Sequence, residues 1–97
     1  MNVRILEVAR RELDEAIERY NGEEPGLGGA FLVEILATIE RIRRFPEGWH
    51  PMGPRLRRCL LRRFPYGLIY GRDGPDIVVV AVAHTRRRPE YWRDRIR

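Results

Sequence analysis

The last third of the chain gathers the residue types that do anion chemistry. Arg86, Arg87 and Arg88 stand in tandem after an apolar run, Ile77 to Ala83, with His84 just before them and Tyr91 and Trp92 just after. A guanidinium presents a planar fork of donors that matches a phosphate or a carboxylate with two parallel hydrogen bonds. An aromatic ring beside it stacks on a base or on the guanidinium plane. An apolar strand gives such a cluster a rigid mount, so the pattern describes a surface that grips an anion. Arg55, Arg57, Arg58, Arg62 and Arg63 form a second basic run, and Arg93, Arg95 and Arg97 extend the first. Were the strands carrying the two runs adjacent, Arg62 or Arg63 would come within reach of Arg86 and Arg88. One reading is an electropositive concavity for a phosphodiester backbone. The other is a set of solvated charges that deter strand-edge aggregation.

Groups that move protons are scarce. His84 closes the apolar run and is the natural titrating residue near neutral pH. As a general base it needs substrate within hydrogen-bond reach. Otherwise it is a capping histidine bonded to the backbone. Tyr91 and Trp92 either stack on a base or an arginine, or Trp92 packs the tail against a sheet. Several engines are excluded outright. There is no lysine for a Walker-type phosphate loop and no serine for a serine-nucleophile triad. His50 and His84 are the only histidines and Cys59 the only cysteine, so a zinc site and an internal disulfide are not expected. No cofactor is expected either. Cys59 reads as a small buried hydrophobe in a strand.

Charge is unevenly placed. Residues 1–48 hold seven arginines and ten acids, whereas residues 49–97 hold twelve arginines and four acids. The halves thus carry −3 and +8, which together make the +5 of the whole chain. A basic half of this kind expects an anionic partner, either nucleic acid or an acidic protein segment. With 43% hydrophobic and 34% charged residues the composition is that of a folded globular chain. The longest apolar run is Ile77 to Ala83, far short of the ~20 residues of a membrane span. Arg4, Glu7 and Arg10 interrupt any signal-peptide core. The expectation is one domain over residues 1–97, in the cytoplasm, with no membrane partner.

These residues need elements to position them. Val3 to Leu6 is a candidate short strand. From about Val8, Ala9, Leu13, Ala16, Ile17 and Tyr20 recur at helical spacing, with Asn21-Gly22 as the stop. A second helix is expected from about Leu27 or Gly28 to Arg44, with a stripe of Phe31, Ile35, Ile39 and Ile42 widened by Leu32 and Leu36. It must end near Phe45, because the residue before Pro46 is pushed out of the helical region. Two helices joined by so short a turn make an antiparallel hairpin. Glu47 to Pro54 reads as a loop, with Trp49 covering one end of the hairpin. Strand character follows in Leu56 to Phe64, with imperfect alternation that predicts a bulge. Pro65 to Gly67 is a candidate reversal, Leu68 to Gly71 a strand, and Arg72 to Asp76 a turn. Ile77 to His84, apolar on both faces, is an interior strand covered by the hairpin. Pro89 to Ile96 is a candidate short helical tail, with Pro89 in its first turn. The fold class is α+β: a helix hairpin on a three- or four-stranded, mostly antiparallel sheet.

Over nearly its whole length the chain resembles the RelE/ParE superfamily of type II toxin–antitoxin toxins. The likeness rests on Ala9 to Trp49, on LRRFPYGLIY (Leu61 to Tyr70) and on VVVAVAHTRRRPEYWRDR (Val78 to Arg95). It implies a small bacterial toxin neutralised by a cognate antitoxin that wraps an extended or helical segment around it. Two activities occur on this fold: cleavage of mRNA in the ribosomal A site, and poisoning of DNA gyrase. Arg63 falls where the ribonuclease branch has its first-strand arginine, and Arg86 and Arg88 where it has those after the last strand. Trp92, with Tyr91 adjacent, falls on its C-terminal tyrosine. Its catalytic lysines have no counterpart, and Arg57 or Arg58 in their place would be a poor general base. The wording FPYGLIY and HTRRRPEYW is closer to the ParE-like side. The expected function is therefore a ParE-like gyrase inhibitor binding its target through Arg62, Arg63, Arg86, Arg88 and Trp92. The alternatives are a ribosome-dependent mRNA endonuclease using Arg63, Arg86, Arg88, His84 and Tyr91, and a non-toxic basic domain that keeps the fold.

Overall fold

The computed structural model describes residues 2–88 and 90–95. Pro89 and Ile96, the expected bounds of the helical tail, lie outside them, as does Arg97. The chain opens with a short strand β1 (Val3–Ile5), then helices α1 (Glu7–Glu23) and α2 (Leu27–Arg44). Strands β2 (His50–Pro51), β3 (Leu56–Leu60), β4 (Tyr66–Asp73) and β5 (Asp76–His84) follow, and a 3-10 turn at Arg93–Arg95 closes the described chain.

The hairpin forms where the spacing placed it. Ala9, Leu13 and Ala16 of α1 are buried, with Ile17 and Tyr20 packed beside them. The helix runs past Asn21-Gly22 to Glu23. It stops because Glu24, ahead of Pro25, is forced to an extended backbone with φ −153° and ψ 126°. In α2 the buried set is Gly28, Phe31, Ile35, Thr38 and Ile42. Leu32 and Leu36, expected to widen the core stripe, face outward at 36% and 57% exposure, and Thr38 takes the core position instead. The Thr38 hydroxyl is satisfied by donating to the Glu34 carbonyl at 2.8 Å and accepting from Arg41 Nη2 at 3.0 Å. Gly28 lets the helices close together: a Cβ there would lie 2.5 Å from the Ile17 carbonyl oxygen.

The sheet has five strands in the order β1-β5-β4-β3-β2, not three or four. β1 pairs parallel with β5 and the other pairs are antiparallel. The extra strand is β2, inside the segment read as a loop. His50 and Pro51 pair with Arg58 and Arg57, and an edge tolerates a proline that has no N–H to give. As expected, β5 is interior, with β1 on one side and β4 on the other. β3 ends at Leu60, so the reversal occupies Leu61 to Pro65, and Tyr66 and Gly67 already belong to β4. The bulge expected in Leu56 to Phe64 lies elsewhere. Ile69 pairs with Ala81 and Tyr70 with Val79, which leaves Val80 of β5 as the extra residue.

Two cores result. The hairpin covers one face of the sheet through Phe31, Ile35, Cys59, Leu68, Tyr70, Ile77 and Val79. The other face is covered by the tail and the β2–β3 turn, with Trp92, Tyr91 and Met52 over Leu56, Ile69, Val78, Val80, Ala81 and Ala83. Cys59 is fully buried among the first set, and burial pushes its thiol pKa up.

Candidate functional site

The expected site residues gather at the end of the sheet where β5 finishes and β3 turns into β4. The Thr85 N–H donates to the Pro65 carbonyl at 2.9 Å, which ties the loop after β5 to the loop holding Arg62 and Arg63. Both loops stand on an aromatic stack. Phe31 lies 5.1 Å from Phe64 and 4.9 Å from Tyr66, and Tyr66 lies 5.1 Å from His84. The Arg63 guanidinium rests over Phe64 at 5.7 Å.

Two helical glutamates fasten this end. Glu34 of α2, its side chain 11% exposed, accepts the backbone N–H of Arg62 at 2.6 Å and that of Arg63 at 3.2 Å. It also pairs with Arg63 Nε at 3.5 Å, while the Arg63 side chain stays 69% exposed. Glu12 of α1, 9% exposed, accepts the Val82 N–H at 3.0 Å, just past the bulge, where β1 no longer covers the edge of β5. Arg95 grips the Glu12 carboxylate with both terminal nitrogens, at 2.8 and 3.1 Å, and donates to the carbonyl of the bulged Val80 at 3.0 Å. The Tyr91 hydroxyl donates to Glu12 at 2.9 Å, and Arg87 stacks 3.8 Å above the Tyr91 ring with Glu12 3.5 Å away. A buried carboxylate that keeps its charge needs this many donors.

The arginines thereby divide. Arg95, 16% exposed, turns inward to Glu12, Arg87 pairs with it from the surface, and Arg57 turns to Glu47 at 3.3 Å and to the Trp49 carbonyl at 2.8 Å. Arg86 and Arg88 are exposed, and among the described residues neither guanidinium has an acidic partner. The same holds for Arg62, which gives only its backbone N–H to Glu34. Trp92 is 5% exposed, and its ring belongs to the second core. Trp49 covers the end of the hairpin as expected, with its Nε1 donating to the Arg41 carbonyl at 3.3 Å.

The proton-transfer candidates are occupied. His84 Nδ1 accepts the Arg86 N–H at 3.0 Å, so in a neutral ring the proton sits on Nε2. Burial and the Glu12 carboxylate push the Tyr91 phenol up to about 12. The sequence reading passed over Glu12 and Glu34. Both carried a readable signal: an acid three residues after one buried helical position and four before another. Glu12 lies between Ala9 and Ala16 in this way, and Glu34 between Phe31 and Thr38.

The described residues contain no helix long and apolar enough to cross a membrane, and no cluster of metal-ligating side chains. A helix hairpin on a small, mostly antiparallel sheet that ends in exposed arginines is the architecture of the RelE/ParE class of toxins. The family model of the ParE toxin of the type II toxin–antitoxin system parDE matches residues 3–89, and the chain belongs to that family. It is the toxin half of a toxin–antitoxin pair. Among solved structures, the chromosomal ParDE toxin–antitoxin system from P. aeruginosa superposes with a TM-score of 0.78. The match covers 89% of this chain and 97% of that one at 17% identity, a likeness of fold. A comparison with curated proteins finds no match.

Proposed function

We propose that this toxin binds DNA gyrase and arrests its cycle, and that an acidic cognate antitoxin neutralises it. One observation carries the reading. The guanidiniums of Arg62, Arg86 and Arg88 stand exposed at one end of the sheet, while the His84 Nδ1 lone pair, which would act as base, and the Tyr91 hydroxyl are engaged. Cleavage through a 2′-OH needs a base near neutral pKa and a donor for the leaving oxygen. A binding surface needs only rigid, unneutralised charge. Arg63 adds to that surface across the loop, and Trp92 serves as its buried mount. Gyrase is the target that the ParE-like wording of the chain implies. The 97 residues act as one domain in the cytoplasm.

The antitoxin has a separate seat in this reading. Leu32, Val33 and Leu36 leave an apolar strip on the outer side of α2, exposed by 36%, 68% and 57%. A segment disordered when free would fold against it and reach the basic end with its acids.

Two assays on one preparation of released toxin test this: supercoiling by gyrase, and primer extension on translating ribosomes. Inhibited supercoiling with intact mRNA is expected, and an Arg86→Ala, Arg88→Ala double variant that folds normally should lose the inhibition. Codon-spaced cleavage that disappears in His84→Ala would overturn the reading in favour of the endonuclease.

A further inference from the structure

The end of the sheet far from Arg86 and Arg88 holds a second cluster of charge. β4 finishes there at Asp73 and β5 begins at Asp76, about 25 Å of strand away from His84. A cavity of about 660 Å³ opens between this end, the β2–β3 turn and the chain at Pro46 and Glu47. Its apolar wall is Leu6, Pro46, Pro51, Leu56 and Val78. Arg4 on the lining is met by Asp73 at 2.5 Å and Asp76 at 3.8 Å, and Arg95 is met by Glu12. Arg55, Arg57 and Arg72 are less well served. Glu47 alone pairs with both Arg57 and Arg72, at 3.3 Å from each, and among the described residues Arg55 has no acid. Three guanidiniums thus face one carboxylate, an excess of two positive charges. All three are open to solvent: Arg55 is exposed, and the side chains of Arg57 and Arg72 are 31% and 38% exposed. Glu47, 70% exposed, bridges two forks where the oxygens of an incoming anion would sit, and a surface pairing of this kind costs little to break.

We propose that this cavity binds a phosphate monoester with a ring-sized organic body, the chemistry of a mononucleotide. A carboxylate would neutralise half of the excess charge, whereas a phosphate dianion neutralises all of it, with Arg57 and Arg72 donating to its oxygens. The volume is the share of roughly twenty water molecules in the liquid, far more than a bare phosphate fills. It lies within the ~300–1,000 Å³ of small-molecule sites. The apolar wall takes the organic body, and the planar Arg55 guanidinium stacks on its ring. Neither gyrase nor the antitoxin enters this inference, so it stands or falls apart from the proposed function.

The test is calorimetric titration of the released toxin at pH 8 with adenosine 5′-monophosphate, and with inorganic phosphate and adenosine as the two halves of that ligand. The nucleotide should bind tighter than either half by about tenfold or more. Arg55→Gln and Arg72→Gln, both at surface positions, should each weaken it about tenfold and leave the Tm unchanged. Glu47→Gln removes the competing carboxylate and should tighten binding by roughly two- to fivefold. On titration, backbone amide shifts should centre on Gly71, Arg72 and Val78. No binding, equal affinity for either half, unchanged affinity in the Arg55→Gln, Arg72→Gln double variant, weaker binding in Glu47→Gln, or amide shifts centred on Arg86 to Arg88 would each overturn the proposal.

Discussion

Glu12 and Glu34 occupy equivalent stations on the two helices of the hairpin, yet they do different work. Each stands three residues after a buried position and four before another, each is about nine-tenths buried, and each accepts a backbone N–H from beyond its helix, Val82 of β5 for Glu12 and the β3–β4 loop for Glu34. Glu12 meets a segment that also sends in Arg95, Tyr91 and Arg87, and the charge is sealed inside. Glu34 meets a loop whose two arginines stay exposed, Arg62 without an acid among the described residues and Arg63 only in a surface pair at 3.5 Å, so it fixes their backbone and leaves their side chains in solvent. The same device thus buries Arg95 as structure at one helix and holds an exposed loop in place at the other. Local backbone geometry decides which. At the bulge of β5 the edge carries polar groups that the Glu12–Arg95 ion pair satisfies. At the β3–β4 turn the backbone is exposed and needs only an anchor.

Breaking the Glu12 network should have the largest effect. Glu12→Ala leaves Arg95, only 16% exposed, without its counter-charge and frees the Val82 N–H and the Tyr91 hydroxyl. Loss of about 3 kcal/mol is expected in urea unfolding. Hydrogen exchange at Val82 and through the tail should rise with it.

Glu34→Ala should cost less, about 1–2 kcal/mol, because the loop it holds is already wet. Its distinguishing mark is local: the Arg62 and Arg63 amides should exchange faster while those of β5 keep their protection. Equal losses from the two alanine variants would dissolve the contrast between sealed and surface anchors.

Of the two glutamate anchors, alkaline pH should weaken only the one at Glu12. The folded Tyr91 phenol sits at about 12, above the roughly 10 of an unfolded chain. The unfolded state therefore loses its proton first, and the folded state holds more protons between these values. The stability this contributes is fully present below pH about 10 and is lost as pH rises toward 12. Tyr70, pushed up to about 12 by burial, acts in the same window. Tyr91→Phe should flatten the fall of Tm above pH 10, leaving the Tyr70 part, while Glu34→Ala should leave its slope unchanged.

The smallest effect belongs to Arg63. With its side chain 69% exposed, its pairing with Glu34 is a surface ion pair, and Arg63→Ala should change stability by less than about 0.5 kcal/mol. A larger loss would mean that the guanidinium, and not only the backbone of the loop, is part of the anchor.

Elements with a strong period or punctuation were legible in the chain before any fold was known. The hairpin, its stop before Pro46 and the interior position of Ile77 to Ala83 follow from apolar spacing and from proline sterics, which are local. The two-residue strand at His50–Pro51 and the bulge at Val80 were not, because a partner strand creates both. Leu32 and Leu36 share the type of the core residues but not their side of α2. Thr38 is buried in their stead because its hydroxyl is satisfied within the helix and by Arg41.

The sequence by itself determined that the second half would be an arginine-rich end on an apolar mount, with few groups able to move protons. Composition and the run from Ile77 to Arg88 suffice for that. Which arginines are paired was decided only by the tertiary structure. Arg86, Arg87 and Arg88 are adjacent, exposed and chemically identical, yet only Arg87 lies over Tyr91 and pairs with Glu12, seventy-five residues earlier in the chain, while neither neighbour has an acidic partner among the described residues. A guanidinium goes where an acid and a ring already wait, and their positions depend on how α1, β5 and the tail come together, not on the residues beside it.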